Sequence, residues 1–442
     1  MAMGSFARKM DAAAKAHHVR DCLPEGGLFE GHDWRIAPEP FQLEPKFAKE
    51  LDALGRILLQ FYKAADLLYR QSVNGKQPSW VCEWLDQGKP ASLIELQRHP
   101  QFKTSLPKVI RPDILLTEDG WQITELDSVP GGIGLTAWLN QTYGKQVDVI
   151  GGPTGMIDGF SNIFGNARNV HLMVSEESAT YRPEMEWLAG QIGPHFSVRD
   201  SDYSAIGEGD SLYRFFELFD LENIRSAHQL FKLSCSGLIN ITAPPKSYLE
   251  EKMLFALFWN RNLQPFWHRE LGGRFVKRME NIIPSTWLID PTPLPPHGAI
   301  PGLNLTDWRQ LAELSQKKRQ LIMKLSGFNP NAWGARSVRL GSDMPQREWA
   351  SAVDKAIADY GKSPWILQRY HKPERVCHEW FDFDNRQAVA MSGRVRLCPY
   401  YFVHGDNDIN LGGVLATICP ADKKIIHGMR DAILAPCAVS GN

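Results

Sequence analysis

The 442-residue chain is almost neutral, with 49 Lys and Arg residues against 50 Asp and Glu residues and a formal net charge of −1. This balance argues against a protein that mainly neutralises nucleic-acid phosphates, and no apolar run approaches the roughly 20 residues of a membrane span. We therefore expect neither nucleic acid nor a membrane among its partners. With 43% apolar residues the chain can form a large core, and its length suggests two or three subdomains.

The cysteines indicate a reducing compartment. Seven are scattered along the chain and none forms a C-x-x-C pair, so neither a disulfide framework nor a zinc site is predicted. The N-terminal residues lack the apolar segment of a signal peptide. The sequence therefore predicts a cytoplasmic protein.

The first part of the chain predicts a core helix and then a β-hairpin. Residues 42–70 have apolar side chains at helical spacing, which is typical of a helix packed in a core. The stretch RPDILLTEDGWQITELDSVPGG, residues 111–132, predicts two strands joined at a Glu-Asp-Gly turn. A helix is predicted directly after the glycines that end this stretch.

Four charged residues of this hairpin form a candidate site. Arg111 and Asp113 are two residues apart, as are Glu125 and Asp127, and residues two apart in a strand point to the same face. The turn places Asp113 roughly opposite Glu125. Three carboxylates on one face repel each other unless a cation lies among them, and oxygen ligands suit a hard ion such as Mg²⁺. The alternative is a solvated hairpin face with ordinary salt bridges.

The middle of the chain predicts a small α/β unit. Residues 169–202 predict a strand, a helix and a further strand, which form a β-α-β unit and indicate a Rossmann-like subdomain. A dinucleotide site is not expected because G-x-G-x-x-G is absent. Residues 247–273 predict one long helix, and the Pro/Gly-rich residues 292–305 predict a connector.

A second group of candidate residues lies farther along the chain. Residues 319–341 predict a strand that ends near Lys324, a loop of small residues that includes Ser326, Gly327 and Gly334, and another strand. A lysine beside such a loop can reach nucleotide phosphates while loop amides bind them. The alternative is a surface lysine whose stem packs along the protein. An apolar strand near residue 368 could lie beside the adenine of a nucleotide, where Gln368 would take part in binding it. The alternative for Gln368 is a purely structural role.

The C-terminal residues 392–429 predict two antiparallel strands that complete a central sheet against the hairpin. Arg394 and Arg396 share one face of the first strand. They could bind a substrate carboxylate, or they could form a structural pair. His404 and His427 are interpreted as structural.

The hairpin and the lysines, in this order, resemble the ATP-grasp superfamily, and more closely its circularly permuted branch, which includes glutathionylspermidine synthase. In that branch an R-x-D…E-x-N hairpin precedes the nucleotide lysines. Arg111, Asp113 and Glu125 match its spacing, and Asp127 departs from it by replacing asparagine. The family's first ATP lysine opens a helix, and KMLFALFW from Lys252 is similar to that pattern.

The family's second ATP lysine matches Lys324, and residues 366–368 resemble its adenine-side strand. The resemblance covers roughly residues 106–140 and 247–375. No match to the glutathione-binding or amidase parts of the family is present, so the resemblance carries no substrate identity.

The resemblance implies an α+β, circularly permuted ATP-grasp fold in which a nucleotide cleft lies between two α+β lobes beside the small Rossmann-like subdomain. The expected divisions are residues 1–150 with N-terminal helices and the metal-binding hairpin, 151–245 with the Rossmann-like subdomain, 246–390 with the nucleotide-binding lobe and its lid, and 391–442 with C-terminal strands that complete the core sheet.

The implied activity is ATP-dependent ligation of a carboxylate to an amine or thiol through an acylphosphate, with ATP and Mg²⁺ as cofactors and small molecules or peptides as substrates. Arg111 would stabilise the transferring group, and Asp113, Glu125 and Asp127 would hold metal. The implied nucleotide-binding residues are Lys252, Lys324, Ser326, Gly327, Gly334, Arg336 and Gln368. An ATP-grasp phosphotransferase and an inactive nucleotide-binding protein are the alternatives.

Overall fold

The computed structural model describes residues 11–29, 34–332, 335–423, 426 and 430–441. The helices in this part of the chain are α1 (Ala12–Asp21), α2 (Pro45–Val73), α3 (Ser79–Asp86), α4 (Ala91–Gln97), α5 (Ile133–Tyr143), α6 (Gly155–Asn162), α7 (Arg182–Ile192), α8 (Ala227–Cys235), α9 (Met253–Trp259), α10 (Gln264–Leu271), α11 (Gly273–Ile282) and α12 (Gln346–Ala358).

The strands of the same ranges are β1 (Arg35–Ile36), β2 (Phe41–Leu43), β3 (Val109–Thr117), β4 (Gly120–Asp127), β5 (Val170–Val174), β6 (Phe196–Arg199), β7 (Ser211–Phe215), β8 (Asn240–Thr242), β9 (Thr286–Leu288), β10 (Leu321–Leu325), β11 (Arg339–Leu340), β12 (Trp365–Arg369), β13 (Val376–Asp382), β14 (Gln387–Val403), β15 (Ile409–Pro420) and β16 (Ile433–Val439).

The largest sheet has eight strands and contains the predicted hairpin. Its main order is β1-β16-β15-β14-β3-β4, with β13 beside β14 and β2 beside β16. The long strand β14 pairs antiparallel with both β15 and β3, so the C-terminal strands lie against the hairpin as predicted from their sequence.

Helices cover both faces of this sheet. The apolar face of α2 packs with α9, α10 and α11 on one side, where Leu54, Phe61 and Trp267 are buried. On the other side α5, α6 and α7 pack around Trp138 and Phe160. Among the described residues no helix is both long and apolar enough to cross a bilayer.

Two four-stranded sheets flank the large one. The sheet β6-β5-β7-β8 is parallel throughout, and β5, α7 and β6 form the β-α-β unit expected from the sequence. The sheet β11-β10-β12-β9 is antiparallel. The predicted domain boundaries have no independent test and stay predictions, and β13, expected with the nucleotide lobe, pairs in the large sheet.

The prediction of one long helix over residues 247–273 is wrong. The chain instead forms a 3-10 turn at Ser247–Glu250, then α9, a second 3-10 turn and α10. Asn260 is extended and its side chain accepts the N–H of Asn262 at 3.0 Å, while a proline stands in the first turn of α10. These residues interrupt the apolar helical pattern because they favour helix starts over helix interiors.

The glycine-rich turn after β4 is held by a buried carboxylate. Gly132 has a φ of 84°, in the left-handed region that glycine tolerates. The Glu184 carboxylate of α7 accepts hydrogen bonds from the N–H groups of Gly132 at 2.7 Å and Leu135 at 2.8 Å. These N–H groups at the start of α5 have no acceptor within the helix. The turn therefore has a fixed position beside the hairpin.

Candidate functional site

A cleft of about 440 Å³ lies where the three sheets meet. The hairpin β3–β4 forms one side, and β10, β12 and the loop before β11 form the opposite side. The residues that follow β5 and β7, among them Ser178, Phe216 and Glu217, form a third side at the carboxyl end of the parallel sheet. Ligands of α/β proteins commonly bind at such an edge.

The strand register brings the four charged hairpin residues together. Arg111 lies opposite Asp127 and Asp113 lies opposite Glu125, and all four line the cleft. The pairing shifts after Asp113, so that Thr124 is the extra residue of a β-bulge. A bulge leaves one residue of the ladder unpaired, and here the Thr124 carbonyl is available to the cleft.

Arg111 is bound by three acceptors of its own chain. Its Nε lies 3.2 Å from Asp113 Oδ1, its Nη2 lies 3.1 Å from Asp127 Oδ2, and its Nη1 donates to the Gly131 carbonyl at 3.1 Å. Burial alone would lower the pKa of Arg111, but the two carboxylates raise that pKa well above its ordinary value. The guanidinium is therefore a fixed positive charge in the cleft.

Arg396 is a second guanidinium at the same carboxylate. Its Nη1 lies 3.1 Å from Asp113 Oδ2, and its side chain lines the cleft. Its neighbour in the sequence pattern, Arg394, donates to the carbonyls of Ala421 and Lys423 and is absent from the cleft lining. The sequence left open whether these two arginines bind a substrate or have a structural role. In the structure Arg396 lies in the cleft, whereas Arg394 binds carbonyls of its own chain.

Glu125 and Lys252 form an ion pair across the cleft. Lys252 Nζ lies 2.7 Å from Glu125 Oε1 and also donates to the Ala332 carbonyl at 3.1 Å. Burial would raise the pKa of Glu125, but Lys252 lowers it below its ordinary value. Burial would lower the pKa of Lys252, and Glu125 raises it. Both groups are therefore charged near neutral pH.

Lys324 joins the antiparallel sheet to the hairpin. Its Nζ donates to the Thr124 carbonyl at 2.9 Å and to Gln368 Oε1 at 3.1 Å, and Gln368 in turn donates to Thr286 Oγ1 at 3.1 Å. Lys324 is 6% exposed, so it is not a surface lysine. Burial, with a smaller contribution from Lys252, lowers the pKa of Lys324 to about 8.

This lowered pKa gives a pH-dependent stability. Between about pH 8 and about pH 10.5 the unfolded state holds a proton on Lys324 that the folded state has released, so stability rises with pH over this window. We expect wild type to gain on the order of 2 kcal/mol relative to Lys324→Met between about pH 7 and about pH 10. Urea unfolding of both proteins at the two pH values measures this gain.

The matched control is Lys355→Met, because the Lys355 side chain is 64% exposed on α12, which packs in the same core cluster as β10. Its difference from wild type should be the same at both pH values. A Lys324→Met difference that also stays constant with pH would show that Lys324 is charged throughout this range.

The remaining predicted residues are distributed around the cleft wall. Ser326 is fully buried behind the wall, where its hydroxyl donates to Glu251 and accepts the N–H of Met253 at 2.9 Å. Gly327 lines a smaller adjoining pocket. Arg336 lines the cleft and lies 3.3 Å from Glu177 Oε1. Gly334 and His427 lie outside the described residues.

Magnesium fits the carboxylates of the hairpin in a restricted way. No group of three or more acidic, histidine or cysteine side chains in the described ranges is arranged to hold a metal ion by itself. Asp113 and Glu125 face each other in the register, and protein sites for Mg²⁺ commonly use one or two carboxylates together with phosphate oxygens. Both oxygens of Asp127 already accept protein donors, Val129 N–H at 2.9 Å and Arg111. Both oxygens of Asp113 likewise lie beside a guanidinium, that of Arg111 or of Arg396, which a metal would have to displace. The donor set therefore suits a metal that arrives with a phosphate.

Glu217 was missed in the sequence. It follows β7 at the carboxyl end of the parallel sheet and lines the cleft with Asp127 and Lys252. Burial, followed by the nearby Glu250 and Asp127, raises the pKa of Glu217 to about 8. The residues around Glu217 match no motif. Only its position at the end of a parallel strand could have indicated a ligand-binding residue.

Comparison with known proteins shows a shared fold. Neither a scan against protein-family models nor a search of curated proteins gives a match. Among solved structures, a glutathione synthetase-like effector from Globodera pallida is similar over 98% of both chains, with a TM-score of 0.51 and 11% identity. A candidate gamma-glutamylcysteine synthetase from Methylobacillus flagellatus aligns over 90% of this chain and 87% of its own, with 12% identity. Its TM-score of 0.39 is too low to support an argument.

These comparisons support the predicted fold at a coarse level. The chain has a mixed α+β architecture similar to that of a glutathione synthetase-like protein over nearly its full length. The circular permutation, the Rossmann-like assignment of the parallel unit and the glutathionylspermidine synthase-like branch stay predictions.

Proposed function

We propose that this chain is an ATP-dependent ligase that joins a carboxylate to an amine through an acylphosphate. The main supporting observation is the convergence of distant residues in one cleft: Lys252 contacts Glu125, and Lys324 contacts Thr124, although 200 residues separate the last pair. A set of unrelated surface charges has no reason to converge in this way. The shared fold with a glutathione synthetase-like protein supports the same class.

Lys252 and Lys324 would bind the phosphate oxygens of ATP. Both ammonium groups lie on the cleft wall opposite the hairpin and now contact oxygen acceptors, which phosphate oxygens can replace because they are stronger, charged acceptors. The base would lie against the cleft-facing side of the sheet β11-β10-β12, where Ile322 and Leu340 give apolar surface and Gln368 gives hydrogen-bonding groups. Arg336 would provide a further phosphate contact.

Arg111 would act on the reacting group. The substrate carboxylate attacks the γ-phosphorus to give an acylphosphate and ADP, and the neutral amine then attacks the acyl carbon and releases phosphate. Negative charge on the transferring oxygens is stabilised by a guanidinium held in advance, as Arg111 is by Asp113 and Asp127. Arg396 lies at the same place and would orient the carboxylate with its planar fork.

Mg²⁺, bound by Asp113 and Glu125 with Asp127 beside them, would supply neutralising charge for the phosphates. The loop residues Ala335, Ser337 and Val338 line the cleft opposite the hairpin. They would exclude water, which would otherwise hydrolyse the acylphosphate.

Nucleotide binding is the first test. ATP with Mg²⁺ at about 100 times its Kd should stabilise wild type by about 2.7 kcal/mol, because a ligand that binds only the native state raises its stability. Lys324→Ala should lose most of this gain, since the Nζ facing the cleft is removed. Thermal unfolding with and without nucleotide measures both values.

Lys355→Ala is the control, because it removes an exposed lysine of α12, which packs in the same core cluster as β10, and it should keep the full gain. Wild type that does not respond to millimolar ATP with Mg²⁺ would contradict the proposal.

Product analysis separates the ligase from a phosphotransferase. Phosphate release from ATP is measured with amino acids, peptides and polyamines, singly and in pairs. A ligase releases phosphate only when a carboxylate and an amine are both present, whereas a phosphotransferase forms a stable phosphorylated product with one substrate.

A further inference from the structure

A smaller pocket of about 60 Å³ opens beside the cleft. The two spaces share Glu125, Asp127, Glu217 and Lys252 in their walls, so a molecule in the cleft can extend a group into the pocket. Ser128 and Glu250 line the pocket but not the cleft. The phosphate and carboxylate chemistry proposed above does not use this space.

The pocket has four carboxylates, and the described residues supply cations for three. Glu125 pairs with Lys252 at 2.7 Å, Asp127 pairs with Arg111 at 3.1 Å, and Glu250 pairs with the fully buried Arg214. Within the described ranges the Glu217 carboxyl has no hydrogen bond and no ion pair. Carboxylates in partly buried places are normally paired with a cation. The Glu217 carboxyl has no such partner among the described residues, and a cationic ligand could provide one.

Ser128 is an independent sign of a ligand. Its side chain is 3% exposed and lines the pocket, and its Oγ has no hydrogen-bond partner in the described part of the chain. Buried hydroxyls are rarely left without a partner. The open acceptor of Ser128 and the unpaired carboxyl of Glu217 border the same small space.

The chemistry of the pocket selects an organic cation. A metal ion is disfavoured because no three acidic, histidine or cysteine side chains among the described residues are arranged to hold one. Carbon surface from Val129, Phe219 and Phe328 also lines the pocket, which suits methylene groups better than a hydrated ion. An ammonium group has three N–H donors, which can bind a carboxylate and a hydroxyl together.

We propose that this pocket binds the ammonium group of a substrate, with Glu217 as its ion-pair partner and Ser128 as a hydrogen-bond acceptor. A carboxylate partner stabilises the protonated form of an amine, whereas the amine that attacks the acyl carbon must first lose its proton, so we assign this ammonium to a group that does not react. The substrate pair therefore includes a molecule with an additional charged amino group, such as an amino acid or a diamine. This assignment of substrate class rests on the proposed function, whereas the binding of an ammonium group does not.

The test measures binding of n-propylammonium chloride to the full chain without nucleotide, by saturation-transfer NMR at about pH 8.5, where the amine is still protonated. Wild type should bind n-propylammonium, and n-propanol at the same concentrations should bind at least about tenfold more weakly. Glu217→Gln should weaken n-propylammonium binding at least about tenfold, because it removes a charge-assisted hydrogen bond. Ser128→Ala should weaken it about threefold to tenfold.

The matched control is Glu222→Gln. Glu222 lies in the 3-10 turn Leu218–Asn223, directly after Glu217, and is exposed outside both pockets. This variant should bind n-propylammonium as wild type does. The site assignment is overturned if n-propanol binds equally well, if wild type shows no saturable binding, or if Glu217→Gln and Ser128→Ala both retain wild-type affinity.

Two further ligands identify which substrate carries the ammonium group. Tighter binding of β-alanine than of n-propylammonium indicates an amino acid, because its carboxylate can reach the cationic cleft. Tighter binding of 1,3-diaminopropane indicates a diamine. Either result supports the pocket only if Glu217→Gln abolishes the tighter binding. If the protein binds ammonium but does not respond to ATP, the ligase proposal is overturned and the ammonium site stands.

Discussion

Replacing Arg111 with lysine is expected to lower turnover about 10²–10³-fold, which corresponds to the loss of one preorganised group that stabilises charge in the transition state. Lysine keeps the positive charge but has a single nitrogen. It cannot contact Asp113, Asp127 and the Gly131 carbonyl at once, as the guanidinium does, so its position in the cleft would no longer be fixed.

The pattern of kinetic constants distinguishes this role from a structural one. If Arg111 acts on the transferring group, kcat falls while the ATP-induced rise in Tm stays close to the wild-type value, because ground-state binding of the nucleotide depends on the two lysines. The measurement is steady-state phosphate release from ATP, with the substrate pair that the screen of amino acids, peptides and polyamines identifies. A variant with wild-type kcat would remove Arg111 from the mechanism.

Asp66→Ala is expected to lower the free energy of unfolding by about 3–5 kcal/mol, because it leaves buried charge without a partner. Asp66 Oδ1 lies 2.6 Å from Lys246 Nζ and accepts the Tyr248 hydroxyl at 2.7 Å, and Oδ2 lies 2.8 Å from Arg70 Nε. The side chains of Lys246 and Asp66 are 1% and 4% exposed. Urea unfolding measures the loss.

The double variant Asp66→Leu/Lys246→Met provides the control. It removes both charges and fills the space with apolar groups, and such replacements of buried ion pairs are often neutral or stabilising. It should therefore recover part of the stability lost in Asp66→Ala, while the buried Tyr248 hydroxyl and Arg70 still lack the acceptor that Asp66 provided. If it is as unstable as the single variant, the unpaired Lys246 charge is not the cause of the loss.

The hairpin could be predicted because its information is local. A turn sequence, apolar strands and charges two residues apart define the register that brings Asp113 opposite Glu125. The bulge at Thr124 could not be predicted, because it arises from strand pairing and leaves no mark in composition. Yet this bulge supplies the carbonyl that Lys324 binds.

The prediction for residues 247–273 used hydrophobic periodicity alone. The apolar residues recur through both α9 and α10, and the break between them depends on the extended Asn260, on its side-chain hydrogen bond and on the proline in the first turn of α10. Ser326 shows a related difficulty. Small residues near a lysine are typical of a phosphate loop, but here the Ser326 hydroxyl connects to Glu251, which also lies 2.7 Å from the buried Lys89.

Glu217 and Arg396 reach the cleft only through tertiary structure. Each lies far from the hairpin in the chain, and neither belongs to a recognisable motif. Their positions follow from the parallel sheet ending at the cleft and from β14 pairing with β3.

The contacts of Lys252 and Lys324 with the hairpin also bear on selectivity among nucleotides. Both ammonium groups already have acceptors in Glu125, Ala332, Thr124 and Gln368, so binding of the proposed nucleotide is an exchange of acceptors. A molecule without phosphates, such as adenosine, has no phosphate oxygens to replace the acceptors that the two lysines would lose. Each added phosphate would compensate more of that cost, so under the proposed function the protein's own hydrogen bonds would favour the triphosphate over shorter nucleotides.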